Sequence, residues 1–173
     1  MNLANKLTLL RIVLIIPFII ILKLSQGSLM LKSIAFLIFA FASLTDYLDG
    51  YLARKYGMVS NFGKLMDPSA DKILVISAFL VFIEMNYIPA WMVIVIIARE
   101  FLITGIRSLA ASDGHVIPAG YLGKVKTTTQ MIAILLIILI GKTVYNPYIM
   151  IIPVFFTLLS GWDYIKGSLK YFK

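Results

Sequence analysis

Six apolar runs, at roughly residues 12–22, 34–45, 73–83, 88–98, 131–140 and 144–162, restrict this chain more than any other feature of its sequence. Most are shorter than the about 20 residues that a helix needs to span hydrocarbon. To cross, each must draw polar flanks into the same helix, with those flanks turned toward a bundle interior rather than toward lipid. A soluble globule with these runs as its core fails on surface area. Of the 173 residues, 61% are hydrophobic and the mean hydropathy is +0.96, which leaves too little polar surface to cover a globule of that size. The sequence therefore predicts an all-α integral membrane protein of six transmembrane helices. With no internal repeat and no low-complexity linker, residues 1–173 form one domain.

Element boundaries follow from the punctuation. Residues 1–11, MNLANKLTLLR, are too short and polar to be a span and lack the shape of a cleavable signal peptide, so they are expected to lie at the interface as an amphipathic segment. Pro17 is expected to kink the first span or end one of its turns. The second helix should run from about Leu29 to Tyr56 and the third from about Lys64 to Met85. Both exceed what a bilayer requires, so their excess should project into water on one side. Ser112-Asp113-Gly114-His115, followed by Pro118 and Gly120, marks a loop. Trp91, Trp162 and the tyrosines suit interfacial belts or packing.

Charge placement orients the chain. In a six-span arrangement, Lys6, Arg11, Arg54, Lys55, Lys64, Lys72, Arg99, Arg107, Lys124, Lys126, Lys166, Lys170 and Lys173 fall on one side, leaving Lys23, Lys32 and Lys142 opposite. The positive-inside rule puts both termini in the cytoplasm. The net charge of +8 is then a membrane-topology signal, and no nucleic-acid partner is expected.

Against this apolar background, residues 46–71 read DYLDGYLARKYGMVSNFGKLMDPSAD and hold four of the eight acidic residues. An ionised Asp near hydrocarbon is costly unless paired, hydrated or bound to a cation, so each is a functional candidate. Asp46, Asp49, Gly50 and Ala53 stand at i, i+3, i+4 and i+7, one stripe of a helix; Gly63, Asp67 and Asp71 repeat at intervals of four, a second stripe. Joined by a short connection, the two helices should pack antiparallel with these stripes opposed, so that the four carboxylates converge on one or two divalent ions. The chain has no Cys, so ligands must be oxygens or the lone His115; an all-oxygen set favours Mg²⁺ or Mn²⁺. Structural alternatives stay open residue by residue. Asp67-Pro68 also fits a helix N-cap, and Gly50 with Ala53 also fits a small-residue helix contact.

The pattern D-x-x-D-G-x-x-A-R, eight residues, then G-x-x-x-D-x-x-x-D is met by Asp46, Asp49, Gly50, Ala53, Arg54, Gly63, Asp67 and Asp71. It resembles the signature of the CDP-alcohol phosphatidyltransferase family, and the length and span count suit that family over the whole chain. The resemblance implies transfer of a phosphatidyl group from CDP-diacylglycerol to an alcohol, with release of CMP. It also implies Asp46, Asp49, Asp67 and Asp71 as ligands of two divalent ions, Asp71 doubling as the base for the acceptor hydroxyl. Gly50, Ala53 and Gly63 would admit the nucleotide to the helix backbone, and Arg54 and Ser60 would contact the CDP-diacylglycerol phosphates; Arg54 also fits an interfacial anchor. Asn5, Thr8 and Arg11 resemble the family's N-x-L-T-x-x-R lead-in beside the nucleotide pocket, with Ala4 where a proline is common. A homodimer in the bacterial cell membrane, with a cytoplasmic active site, is implied too.

The acceptor is the finer question. Arg99, Arg107, Lys124 and Lys126 fall at the expected cytoplasmic ends of the fourth and fifth helices, where they can form an anion site or simply obey positive-inside placement and touch lipid headgroups. Glu100 is expected to orient a basic side chain. Within the family, the segment AREFLITGIRSLAASDGHVIPAGYLGKVKTTTQM resembles members that use sn-glycerol 3-phosphate. Sister acceptors, an inositol phosphate or phosphatidylglycerol, would keep the signature and change the cationic cluster. A divalent-cation transporter is the rival from another class, and it calls for acids distributed through the membrane depth.

Overall fold

In the computed structural model, backbone is described for residues 3–56, 61–112 and 120–168, and side chains for these apart from residues 3–9, 11, 46–56 and 61–71. The described residues form six α-helices and no strand: α1 (Leu3–Leu24), α2 (Leu29–Tyr56), α3 (Asn61–Glu84), α4 (Ala90–Ser112), α5 (Tyr121–Ile140) and α6 (Asn146–Ser168). The expected bounds of α2 hold at both ends, while α3 starts three residues earlier than its apolar pattern suggested. Since α3 runs through residue 67, the N-cap alternative for Asp67 falls away. The polar lead-in is not a separate element. Residues 3–11 continue into the first apolar run as one 22-residue helix that also runs on through Pro17.

Local chemistry explains where the helices stop and restart. Ser28 accepts the Leu31 N–H at 3.3 Å, an N-cap for α2, after Gly27 has turned the chain at φ 79°. Asn86, at φ 56°, supplies the left-handed residue after α3, and the Tyr87 N–H returns to the Phe82 carbonyl at 2.8 Å. At the start of α6, buried Asn146 donates to the Gly141 carbonyl at 2.9 Å and accepts from the Thr143 hydroxyl at 2.8 Å, closing the α5–α6 connection.

Short connections make successive helices antiparallel, and long-range contacts agree. The ends of α1 and α3 meet through Lys23 and Glu84, at 2.6 Å, and the Lys32 side chain near the start of α2 lies against Gly141 at the end of α5. This end is called distal; the end where α1 begins is proximal. α1 packs on α2 and α3, α5 on α2 and α6, and α4 on α6, with α3 also touching α4 and α5. Ile15, Phe18 and Leu22 of α1, Ala35, Phe39 and Ala42 of α2, and Leu74, Ala78 and Phe82 of α3 recur at helical spacing and are buried; Phe18 and Phe39 lie 5.6 Å apart between ring centres. Ile134, Ile137 and Ile138 of α5 and Met150 of α6 complete the core.

The outside is also apolar. Val13, Ile16, Ile20 and Leu24 form the opposite stripe of α1 and are exposed, as are Leu37, Phe41 and Leu44 on α2, Ile94 and Phe101 on α4, and Ile151, Phe155 and Leu158 on α6. A surface of this kind needs hydrocarbon rather than water as its solvent. Among the described residues, α5 and α6 are by themselves long and apolar enough to cross a membrane. The remaining helices, of 22 to 28 residues, are about 33 to 42 Å long and carry their polar groups toward one end.

Candidate active site

Glu100 lies near the middle of α4, in a helix otherwise dominated by apolar residues. A carboxylate there needs partners, because removal from water costs several kcal/mol that only close cations and hydrogen bonds offset. It has three, each from a different position in the bundle. Lys126 of α5 donates to Oε1, Arg99 of α4 donates to the same oxygen at 3.1 Å, and Lys72 of α3 stands 3.7 Å from Oε2. Lys72 also donates to the Thr104 hydroxyl at 2.9 Å. The Lys126 and Glu100 side chains are only 7% and 12% exposed and that of Lys72 is 34% exposed, so the cluster grades from buried to accessible across α5, α4 and α3. Among the described residues, three cations share this one carboxylate.

Helix α6 makes room for this arrangement. Gly161 stands where the Arg99 stem crosses: a Cβ there would lie 3.2 Å from Arg99 Cγ, tighter than ordinary contact. Arg99 Nε is buried and has no acceptor among the described residues. One turn deeper, buried Gln130 of α5 donates to Thr157 of α6 at 3.3 Å, and the Thr157 hydroxyl donates to the Pro153 carbonyl at 2.6 Å. The polar face of α5 therefore continues from Lys126 into the α5–α6 contact.

Of the expected acceptor-site residues, Arg99 and Lys126 are brought together on Glu100. Arg107 and Lys124 are exposed on the proximal halves of α4 and α5 and make no ion pair among the described residues. Arg107 is about 12 Å further along α4 than Arg99. Asp46, Asp49, Gly50, Ala53 and Arg54 are on α2, Gly63, Asp67 and Asp71 on α3, and Asn5, Thr8 and Arg11 on α1; their side chains lie outside the described residues, as do Ser60 and His115 altogether. α2 and α3 do pack against each other. Among the described residues, no three His, Asp or Glu side chains group as metal ligands. The expected donors on α2 and α3, Asp46, Asp49, Asp67 and Asp71, are carboxylates alone, a chemistry that would fit a hard divalent cation.

Lys72, Thr104 and Gly161 are the residues of the candidate site that pattern reading did not assign, whereas Glu100 was read as orienting a basic side chain. Lys72 had a signal, being a Lys within a membrane helix immediately after Asp71. Consecutive Cα atoms are about 3.8 Å apart, so the cationic cluster begins one residue along the chain from the expected acidic stripe of α3.

The sequence profile described as CDP-alcohol phosphatidyltransferase matches residues 1–159. The chain belongs to that family. It is similar to a CDP-diacylglycerol–glycerol-3-phosphate 3-phosphatidyltransferase of Bacillus subtilis, 43% identical over 96% of this chain and 95% of the relative. Relatives with the same name in Rickettsia felis and Treponema pallidum are 38% and 34% identical, covering 99% and 96% of this chain and 97% and 88% of their own lengths. As a CDP-alcohol phosphatidyltransferase the chain is a membrane protein, in keeping with its apolar exterior. The family signature lies on the proximal halves of α2 and α3, and the Glu100 cluster begins next to it at the middle of α3 and α4.

Proposed function

We propose that this protein transfers the phosphatidyl group from CDP-diacylglycerol to sn-glycerol 3-phosphate, giving phosphatidylglycerophosphate and CMP. The observation that carries the acceptor assignment is the cluster of Lys72, Arg99 and Lys126 around one carboxylate, next in the chain to Asp71. Phosphate monoesters carry nearly two negative charges at neutral pH, and an uncharged acceptor would have no use for such a concentration of cations. Full-length similarity to relatives named for glycerol 3-phosphate supports the same acceptor.

In this reading Asp46, Asp49, Asp67 and Asp71 would hold one or two Mg²⁺ or Mn²⁺ ions. Bound there, such ions neutralise charge on the pyrophosphate and the departing CMP. Gly50, Ala53 and Gly63 leave the helix backbones open to the nucleotide, while Asn5, Thr8, Arg11, Arg54 and Ser60 contact the CDP-diacylglycerol end. Arg99 and Lys126, assisted by Arg107 and Lys124 nearer the water, hold the acceptor phosphate. The Asp71 carboxylate takes the proton from the acceptor hydroxyl, which is its role as general base.

The six helices cross the membrane as a single domain, residues 3–11 forming the interfacial start of α1, with both termini and the site on the cytoplasmic side. Exposed Trp91, Tyr145 and Tyr148 at the distal end and Tyr121 and Trp162 at the proximal end support that placement, as two interfacial aromatic belts. The assembly proposed is a homodimer, on family grounds. A transporter is disfavoured because the four aspartates sit together in the proximal halves of α2 and α3.

The test is a purified-protein assay with CDP-diacylglycerol, Mg²⁺ or Mn²⁺, and radiolabelled glycerol 3-phosphate. Label should enter lipid with equimolar release of CMP. Label entering lipid only from an inositol phosphate, or cardiolipin formed from phosphatidylglycerol, would replace the acceptor assignment. Arg107→Ala should raise KM for glycerol 3-phosphate several-fold more than KM for CDP-diacylglycerol; equal changes would remove Arg107 from the acceptor site.

A further inference from the structure

We propose that Glu100 is a positioning residue for the acceptor: it gathers Lys72, Arg99 and Lys126 from three helices into one preformed phosphate cradle, of which Lys72 is a working member. The inference rests on the proposed acceptor reading and extends it to residues outside the signature.

The geometry is specific. Both oxygens of the one carboxylate are used, Oε1 by Lys126 and Arg99 and Oε2 by Lys72. Thr104, one turn along α4 from Glu100, holds the Lys72 ammonium from a second direction at 2.9 Å. Without the carboxylate, three positive charges would face one another in a poorly solvated space and separate, each following its own water or lipid headgroup. With it they are held close before any ligand arrives, as a set of N–H donors suited to phosphate oxygens. Preorganisation of this kind reduces the ordering that the acceptor would otherwise have to bring about on binding. Gly161 serves the same purpose from α6, since its missing side chain leaves the path for the Arg99 stem.

Two readings of Glu100 make opposite predictions. If it acted only through its charge, it would repel the incoming phosphate, and neutralising it would tighten acceptor binding. A positioning role predicts the reverse, because the gain from lost repulsion is outweighed by dispersal of three cations.

The decisive measurement is steady-state kinetics of Glu100→Gln, Glu100→Asp and Lys72→Met in the full-length membrane enzyme, varying each substrate separately. Glu100→Gln should raise KM for glycerol 3-phosphate about tenfold or more while KM for CDP-diacylglycerol stays within about twofold. Glu100→Asp, which keeps the charge, should recover part of the loss. Lys72→Met, at the more exposed edge of the cluster, should fold normally and show the same one-sided rise, keeping the test decisive if Glu100→Gln fails to accumulate. An unchanged or lower acceptor KM in Glu100→Gln, or equal rises for both substrates in both neutral variants, would overturn the proposal. A wild-type enzyme that ignores glycerol 3-phosphate would instead overturn the acceptor reading beneath it.

Discussion

The two ends of the bundle treat charge in opposite ways. At the distal end Lys23 and Glu84 form a one-to-one pair, largely exposed, and buried Asn146 satisfies the α5–α6 connection with neutral hydrogen bonds. These polar groups serve the architecture, by ending a helix or by tying two helices together. Between the middle and the proximal end one half-buried carboxylate is shared by three cations, Arg99 Nε has no acceptor among the described residues, and four aspartates occupy neighbouring helices. That end carries more charge than stability alone would select, since a buried ionic cluster is rarely worth more to folding than a packed apolar one. The difference teaches where to look for chemistry, at the end where one carboxylate serves several cations.

The comparison breaks most readily at Asp71. Replacing it with Asn should lower kcat by about a hundredfold to ten-thousandfold, the usual contribution of a general base, while CDP-diacylglycerol binding stays measurable. Turnover at the wild-type rate would strip Asp71 of that role. Next comes Lys126→Met, which removes the most buried cation of the cluster. It should lower the unfolding temperature in detergent, less than loss of every partner of Glu100 would because Arg99 and Lys72 remain, together with a raised acceptor KM. A loss of stability with unchanged kinetics would make the proximal cluster as purely structural as its distal counterpart. Asn146→Ala should cost about 1 to 3 kcal/mol by leaving the Gly141 carbonyl and Thr143 hydroxyl without their partner, with kcat and both KM values unchanged. An altered KM there would show that the two ends are coupled. The smallest effect belongs to Glu84→Gln: for an exposed pair, stability should change by under about 1 kcal/mol, and activity not at all.

Much of the helical framework was legible because apolar periodicity and turn residues are local signals. Leu29 and Tyr56 were legible as the ends of α2, while α4 runs one residue into the expected loop and takes Ser112 as its last residue. The separate interfacial segment was not confirmed as an element of its own, since nothing between Asn5 and Ile12 breaks a helix and α1 runs straight through. Of the cluster around Glu100, Arg99 and Lys126 were singled out by residue type, and Glu100 by its neighbour. Lys72 was counted only as a topology signal. Its link to Glu100 joins residues 28 positions apart on different helices, which no spacing rule can express.

What the sequence determined alone was the solvent, the number and rough limits of the helices, and the acidic signature, all set by hydropathy and by spacing within one helix. Tertiary structure decided which cations meet. Coulombic partnership depends on distance through space, and Lys72, Glu100 and Lys126 come within reach of one another only after α3, α4 and α5 have packed.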